Sequence, residues 1–381
     1  MKILISLSYY TPYISGVTIY AKRLAEALTK KGHQVSILTS RHQPDLKKNE
    51  VIEKVKIKRI PVLFKIGKGN LMPLWLIEGL KLIVQSNRVV FHLPQVEAAT
   101  LAVLAKITKK RVFVIYHCDV VLPKSLFNFF QEKIVFLSGF LTCLLADKIV
   151  SYTADYGLTS PLLKFFKKKL VFVLPPIKIE TSGQKEINSV RKKMAREKNE
   201  VIIGFAGRIA AEKGIEYLFE AVDILIQKGY RLKIALAGPE KKVIGEEKYI
   251  QKIKKLSQGR KKEIIFLGNL NQKEMMVFYK QIDVLALPSL NRTESFGLVQ
   301  AEAMLAGAPV IASDLPGIRM PIKLTGMGEV VEAGNSRSLA KAIEKILKNK
   351  SKYIKPKKQI KKIFSFQKTI LAYEDLFLGK N

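Results

Sequence analysis

Two carboxylates, Glu294 and Glu302, flank a glycine in the run Asn-Arg-Thr-Glu-Ser-Phe-Gly-Leu-Val-Gln-Ala-Glu-Ala, residues 291–303. A helix opening near Gly297 would leave the amides of Phe296, Gly297, Leu298 and Val299 without intrahelical acceptors, a seat for an anion. Glu302 would stand about five residues into that helix, roughly 7.5 Å along its axis, its side chain tilted back toward the N-terminus. Glu294 lies just before the helix. A ligand with its phosphates on the amides would meet one carboxylate on each side. Carboxylates accept well from paired sugar hydroxyls, and a nucleoside diphosphate sugar has such hydroxyls at both ends. Acids near a helix start are also stabilising in their own right, so the pair by itself leaves plain helix decoration open.

A second feature gives the pair a chemical context. Gly204-Phe-Ala-Gly207-Arg208 continues through Ile-Ala-Ala-Glu to Lys213-Gly214. Small residues let a ligand approach the backbone, and two cations on one loop suit a diphosphate. The other reading is a surface loop leading to a helix at Gly214. The Gly-Lys-Ser/Thr ending of a P-loop is absent, as is a Gly-x-Gly-x-x-Gly dinucleotide fingerprint. Leu236-Ala-Gly238-Pro239 reads as a strand end punctuated by a turn, and Leu287-Pro288-Ser289 as a third such end running into the glutamate stretch.

These loops need a scaffold, and the periodicity supplies one. Buried strands are expected at Lys2–Leu7, Gln34–Thr39, Val55–Ile60, Val89–Leu93, Val112–Tyr116, Lys148–Tyr152 and Val171–Leu174. A helix over Gly16–Lys31 lies between the first two. After Pro175-Pro176 and a polar stretch leading into a short charged helix, the rhythm restarts. Strands are expected at Val201–Ala206, Lys233–Ala237, Glu263–Leu267, Val284–Leu287, Val310–Ala312 and Glu329–Val331, with helices such as Ile215–Lys228 and Gln272–Lys280 between them. The fold class is α/β, with two doubly wound domains and a cleft between them as the default ligand site. The boundaries are 1–177, a linker over 178–199, and 200–363. An amphipathic helix closes the chain over 364–381.

Composition narrows the classes. The chain has 381 residues, 48% of them hydrophobic, which excludes global disorder. Two cysteines, Cys118 and Cys143, form no disulfide framework and read as reduced cytosolic thiols. With four scattered histidines they build no zinc site. The start shows no signal peptide, and the longest apolar stretch, Ile134–Ala146, is too short for a bilayer span. A net charge of +34, shared about evenly between the halves, points to an anionic partner or to lysines that simply solvate the surface. No nucleic-acid-binding motif accompanies it.

The run Glu294-Ser-Phe-Gly-Leu-Val-Gln-Ala-Glu302-Ala-Met-Leu-Ala-Gly-Ala-Pro-Val resembles the signature of the retaining glycosyltransferases of group 1, glycosyltransferase family 4. Gly207-Arg208…Glu212-Lys213-Gly214, Ala237-Gly238, Asp283-Val284…Pro288-Ser289 and Gly328…Val331 match in order. In the N-terminal half so do Tyr10-Thr-Pro…Ser-Gly16-Val, Lys31-Gly32-His33-Gln-Val and Ala146-Asp147-Lys-Ile-Val. The resemblance covers nearly the whole chain. It implies the GT-B fold, two Rossmann-like domains facing across a cleft, with the last helix crossing back to the N-terminal, acceptor-binding domain. It also implies a retaining, metal-independent hexosyl transfer from a UDP- or GDP-sugar to a glycan or lipid-linked acceptor, with no cofactor. By this resemblance Arg208 and Lys213 hold the donor diphosphate, Glu302 the ribose hydroxyls and Glu294 the transferred sugar. The backbone around Phe296–Val299, Gly16, Gly207 and Gly238 lies against the donor, and His117 near the reacting carbon. Two positions depart from the family pattern: Ser15-Gly16 stands where two glycines are usual, and Met320 where a glutamate is common.

Two N-terminal stretches, Ser125-Leu-Phe-Asn-Phe-Phe and Leu162–Leu170 with its four lysines, interleave aromatics with cations. They read either as an interfacial segment on the anionic inner face of a membrane or as a core helix with a solvated lysine side. Other readings of the chain are a non-catalytic sugar-nucleotide or polyanion binder, and a sucrose- or trehalose-type synthase with a soluble acceptor.

Overall fold

The computed structural model describes residues 1–66, 69–240, 243, 245–260 and 262–380. Asn381, the last residue of the closing segment 364–381, lies outside them. The chain forms two compact units. The first holds Met1–Pro176, the short segment Arg292–Ser295 and the chain from Phe366 onward; the second holds Ile177–Asn291 and Phe296–Ser365.

The first unit is built on β1 (Lys2–Ser6), β2 (Gln34–Arg41), β3 (Asn49–Ile52), β4 (Val55–Pro61), the small hairpin β5 (Phe64–Ile66) and β6 (Gly69–Leu71), β7 (Arg88–Leu93), β8 (Arg111–Tyr116), β9 (Lys148–Ser151) and β10 (Leu170–Phe172). Eight of them form one sheet in the order β10-β9-β8-β7-β1-β2-β4-β3, parallel except for β3. The central strands are apolar runs, as expected of strands covered by helices on both faces. The edge strand β3 and the β5–β6 hairpin escape the strand periods read above. β3 alternates only between exposed and half-buried positions, so its composition carries little core signal. It is fixed by its turn, where Glu53 and Lys54 both adopt positive φ (50° and 64°) as a tight hairpin requires.

Helices α1 (Gly16–Lys30), α2 (Trp75–Val84), α3 (Ala98–Ile107), α4 (Leu126–Leu145) and the single turn α5 (Ala154–Gly157) follow these strands. Ser15 caps α1: its hydroxyl accepts from the Thr18 amide (3.2 Å), while the Thr18 hydroxyl accepts from the Ser15 amide (2.9 Å). Gly32, with φ 86°, lets the chain turn into β2. Trp75 and Ile83 of α2, Leu101 and Ala102 of α3, and Cys143 of α4 all enter one core against β7 and β8.

The second unit opens with α6 (Gln184–Met194), inside the 178–199 stretch. This charged helix buries Val190 and Met194 and lies against the later helix Gln272–Gln281, with Ser182 Oγ donating to the Lys273 carbonyl at 2.7 Å. A six-stranded, wholly parallel sheet follows, in the order β13-β12-β11-β14-β15-β16. Its strands are β11 (Val201–Ala206), β12 (Leu232–Ala237), β13 (Ile264–Gly268), β14 (Val284–Leu287), β15 (Val310–Ser313) and β16 (Gly328–Val331). They alternate with α7 (Ile215–Gln227), α8 (Glu247–Gln258), α9 (Gln272–Gln281), α10 (Leu298–Ala306) and α11 (Met320–Thr325). Then come α12 (Ser336–Lys348), α13 (Lys350–Tyr353) and α14 (Lys357–Ile363).

The last helix, α15 (Phe366–Leu378), belongs to the first unit. It begins two residues later than the sequence period implies, because Phe364 ends α14 and turns its ring toward Phe296. Tyr373 meets Tyr20 of α1 through their hydroxyls, and Glu374 pairs with Lys31 (2.6 Å) and His33 (2.9 Å). Arg88 donates to the Phe377 carbonyl at 2.6 Å. Among the described residues no helix is long and apolar enough to cross a membrane.

Candidate functional site

In the second unit the β11, β12 and β14 ends carry the three loops of interest. β11 and β12 run parallel in full register to Ala206 and Ala237, and the next residues are Gly207 and Gly238. Gly207 donates to the Ala237 carbonyl and Gly238 to the Gly268 carbonyl, each at 2.9 Å. A Cβ on Gly238, whose φ is 147°, would fall 1.9 Å from the Gly207 carbonyl oxygen. Only glycine fits there.

Beyond Gly207 the chain carries Arg208, forms a short 3-10 turn over Ala211–Lys213, and reaches Gly214 in the left-handed region. A Cβ on Gly214 would lie 2.5 Å from the Pro288 carbonyl oxygen, so the cationic loop and the loop after β14 touch backbone to backbone. The Leu290 amide donates to the Glu212 carbonyl at 2.9 Å, and Glu246 accepts from the Ala211 amide at 3.0 Å. Arg208 pairs with Glu212 at 2.9 Å. That contact uses one guanidinium nitrogen of a group with five N–H donors. Lys213 is 8% exposed, so its ammonium is carried on a buried stem beside Gly207.

Gly297 caps α10 in the left-handed conformation (φ 71°), and a Cβ there would strike Leu287 at 2.6 Å and Gln300 at 2.8 Å. Leu298 and Val299 form the first turn, and the Gln300 amide donates to the Gly297 carbonyl at 2.9 Å. The helix thus starts one residue after the glycine. Phe296 precedes it with its ring buried. Gln300 is fully buried and donates to the Phe296 (2.8 Å) and Ile318 (2.9 Å) carbonyls, locking the approach to the helix. Glu302 is half-buried and accepts from the Tyr279 hydroxyl of α9 at 3.0 Å. Met320 opens α11, and the preceding Arg319 pairs with Asp314 at 2.9 Å.

In the first unit, Gly16 is the first residue of α1, behind the Ser15 cap. His117 follows β8 but is 4% exposed, with both ring nitrogens engaged. Nε2 contacts His92 Nδ1 at 2.8 Å and Nδ1 meets the Tyr152 hydroxyl. Tyr20 packs edge-on to both imidazoles. Burial pushes His92 down to about 3 and His117 well below its ordinary value, with the neighbouring His92 as a second cause. Both rings are neutral, and His117 as it stands is a member of a closed His–Tyr cluster.

Glu294 is half-buried in the segment Arg292–Ser295. Arg292 donates to Asp119 at 2.9 Å and to Thr159 at 3.1 Å, and lies 5.2 Å from the Tyr156 ring centroid. Asp119, 7% exposed, also accepts from Tyr116 (2.8 Å) and Ser160 (2.6 Å). The Tyr156 hydroxyl donates to the Arg292 carbonyl at 3.0 Å, and the Ser295 hydroxyl to the His117 carbonyl. Asp119, Tyr156 and Tyr279 are not evident from the sequence. An acid two residues beyond a strand-end histidine and tyrosines in helical segments read equally well as ordinary fold residues. Arg292 was visible inside the glutamate run but carries no signal without Asp119. Among the described residues no three His, Cys, Asp or Glu side chains gather into a metal-binding group.

Residues 14–154 match Glycosyltransferase Family 4, and residues 186–363 match Glycosyl transferases group 1. An uncharacterized glycosyltransferase of Methanocaldococcus jannaschii is 31% identical over 169 residues, 44% of this chain and 41% of that protein. The capsular polysaccharide biosynthesis glycosyltransferase CapM of Staphylococcus aureus is 27% identical over 150 residues, 39% of this chain and 37% of its own. The matched part thus spans about two fifths of the length of these curated relatives. Anabaena HepE, solved in complex with UDP and glucose, superposes with a TM-score of 0.76 at 17% identity, covering all of both chains. The two family matches fall one in each half of the chain, the parallel sheets are those of two Rossmann-like units, and the chain belongs to the glycosyl transferases group 1 family with the GT-B fold.

Proposed function

We propose that the protein is a retaining hexosyltransferase that moves a sugar from a nucleoside diphosphate donor, UDP- or GDP-linked, to a hydroxyl of a glycan or lipid-linked acceptor. The observation that carries this reading is the pair of glycine strand ends at Gly207 and Gly238 with Arg208 and Lys213 on the same loop. Close backbone and two cations in a tied loop suit a diphosphate. HepE was solved with UDP and glucose, and CapM is named for capsular polysaccharide biosynthesis; both support the donor and acceptor classes.

In this reading the bond between the anomeric carbon and the β-phosphate oxygen breaks while the acceptor oxygen bonds to the same face of that carbon. The acceptor proton passes to the departing phosphate oxygen. Arg208, oriented by Glu212, and Lys213 neutralise the charge that grows on the diphosphate, and the amides opening α10 add to them without reorganising. Glu302, steadied by Tyr279, takes the ribose hydroxyls. Glu294 takes hydroxyls of the transferred sugar, on a segment steadied by Arg292 and Asp119. Charge neutralisation by the two cations leaves no role that requires a metal.

A panel of UDP-, GDP- and ADP-sugars assayed for donor hydrolysis and transfer tests the proposal. Turnover with one donor, lost in Glu302→Ala, is expected. Equal background from wild type and Glu302→Ala with every donor would end the enzymatic reading.

A further inference from the structure

Helix α4 turns the wrong side to water. Leu126, Phe130, Ile134, Leu137, Leu141 and Leu144 recur at helical spacing along its whole length, and every one is exposed, Leu126 by 76% and Leu137 by 59%. The buried side carries Ser138, Gly139, Thr142 and Cys143. A helix of a soluble fold ordinarily does the reverse. The stripe runs about 27 Å at 1.5 Å per residue, far beyond the isolated exposed leucine that needs no account.

The surface extends past α4. Phe165, 59% exposed on the 3-10 turn Leu163–Lys169, meets Phe140 of α4 edge-on, their ring centroids 5.8 Å apart. On the other side α3 exposes Val103 and Ile107, and α2 exposes Ile77 and Val84. These three helices share the core against β7 and β8, so their outward sides form one face. Cations rim it: Lys124, Lys133, Lys164, Lys167 and Lys168 are all exposed. Lys133 and Lys164 lie 5.1 and 5.3 Å from the Phe129 and Phe165 ring centroids. The one acid of α4, Glu132, is half-buried and accepts from the Leu122 amide.

We infer that this face docks on an anionic lipid bilayer, α4 lying in the plane of the headgroups with its leucines and phenylalanines below them and its lysines on lipid phosphates. An apolar stripe edged with aromatics and lysines has the composition of an interfacial helix. A second copy of the chain would bring another +34 charges to the same contact, so self-association works against its own electrostatics, whereas an anionic surface gains from them. The inference requires no sugar transfer and is read without turnover.

The experiment is co-sedimentation of the full chain with phosphatidylglycerol–phosphatidylcholine vesicles and with phosphatidylcholine alone, at low and high salt. Two variants accompany wild type: Phe130→Ser/Leu137→Ser, and Lys164→Glu/Lys167→Glu/Lys168→Glu. Light scattering and thermal melting follow each. Wild type is expected to partition at least tenfold more strongly to the anionic vesicles. The apolar variant should lose more than tenfold at unchanged melting temperature, and the lysine variant most of the salt-sensitive part. No sedimentation of wild type at low salt overturns the inference, as does apolar-variant binding equal to wild type. A wild-type dimer that the apolar variant converts to monomer also overturns it, assigning the face to a second copy.

Discussion

Helices α4 and α12 serve the same office, each covering a parallel sheet, and they are built to opposite rules. In α12, Leu339, Ala340, Ala342, Ile343 and Ile346 point into the core, while Arg337, Lys341, Lys345 and Lys348 stand in water. Three of its charges are paired: Glu344 meets Lys228 (2.6 Å) and Lys348 (2.8 Å), which hold its carboxyl down to about 2, and Lys345 pairs with Glu329 at 2.9 Å. In α4 the small and hydroxyl-bearing side is buried and the large apolar side is exposed. The first helix is complete within its own unit. The second leaves its large apolar side in water, the face inferred above to dock on a bilayer.

The sharpest way to break this contrast is truncation on both helices. Ile343→Ala should cost about 2–5 kcal/mol, as buried aliphatic deletions do, while Leu137→Ala should stay within about 0.5 kcal/mol. Urea titration followed by circular dichroism measures both. Equal losses would mean that α4 is as inward-facing as α12.

Next in size is the chemistry assigned to the second unit. Arg208→Ala should lower turnover by about a hundredfold to a thousandfold, the scale of removing a preorganised charge stabiliser, with little change in melting temperature. Asp119→Asn, in the first unit, removes the charge that holds Arg292 and should cost on the order of tenfold in turnover by loosening the segment that carries Glu294. Restoration in Asp119→Glu, or a kcat loss without a matching loss of stability, separates positioning from simple destabilisation.

The His92–His117 cluster gives the first unit a pH signature. Both rings stay neutral when folded, whereas in the unfolded chain each takes up a proton near its ordinary value of 6.5. The penalty is absent above that pH and grows as pH falls from 6.5 toward 3, at about 1.4 kcal/mol per pH unit per histidine. Urea midpoints at pH 7, 6 and 5 should fall accordingly, and His92→Gln should flatten the slope. The smallest expected effect is that of EDTA, which should leave transfer unchanged in a donor assay.

Most of the sheet strands were legible because buried parallel strands are apolar runs bounded by turns; Val201–Ala206 and Val284–Leu287 fall where the pattern puts them. Periodicity says which residues share a face but not which face turns inward, so α4 read equally well as a core helix. Edge strand β3 and the β5–β6 hairpin have no buried row to announce them. At the candidate site, the glycines and cations stand out by type and spacing. Tyr279, Asp119 and Arg292 act through partners 23, 173 and 133 positions away in sequence, and nothing local marks such pairings.

The return of α15 to the first unit makes that unit discontinuous: Tyr20 and Tyr373, 353 positions apart, meet in its interior. On a ribosome, everything from Ile177 to Ser365 must be synthesised before the last helix exists. At common elongation rates the nascent first unit therefore waits on the order of ten to forty seconds with the α1 side of Tyr20 uncovered. A chain released before Phe366 would carry the second unit together with a first unit in which Tyr20 lacks its Tyr373 partner.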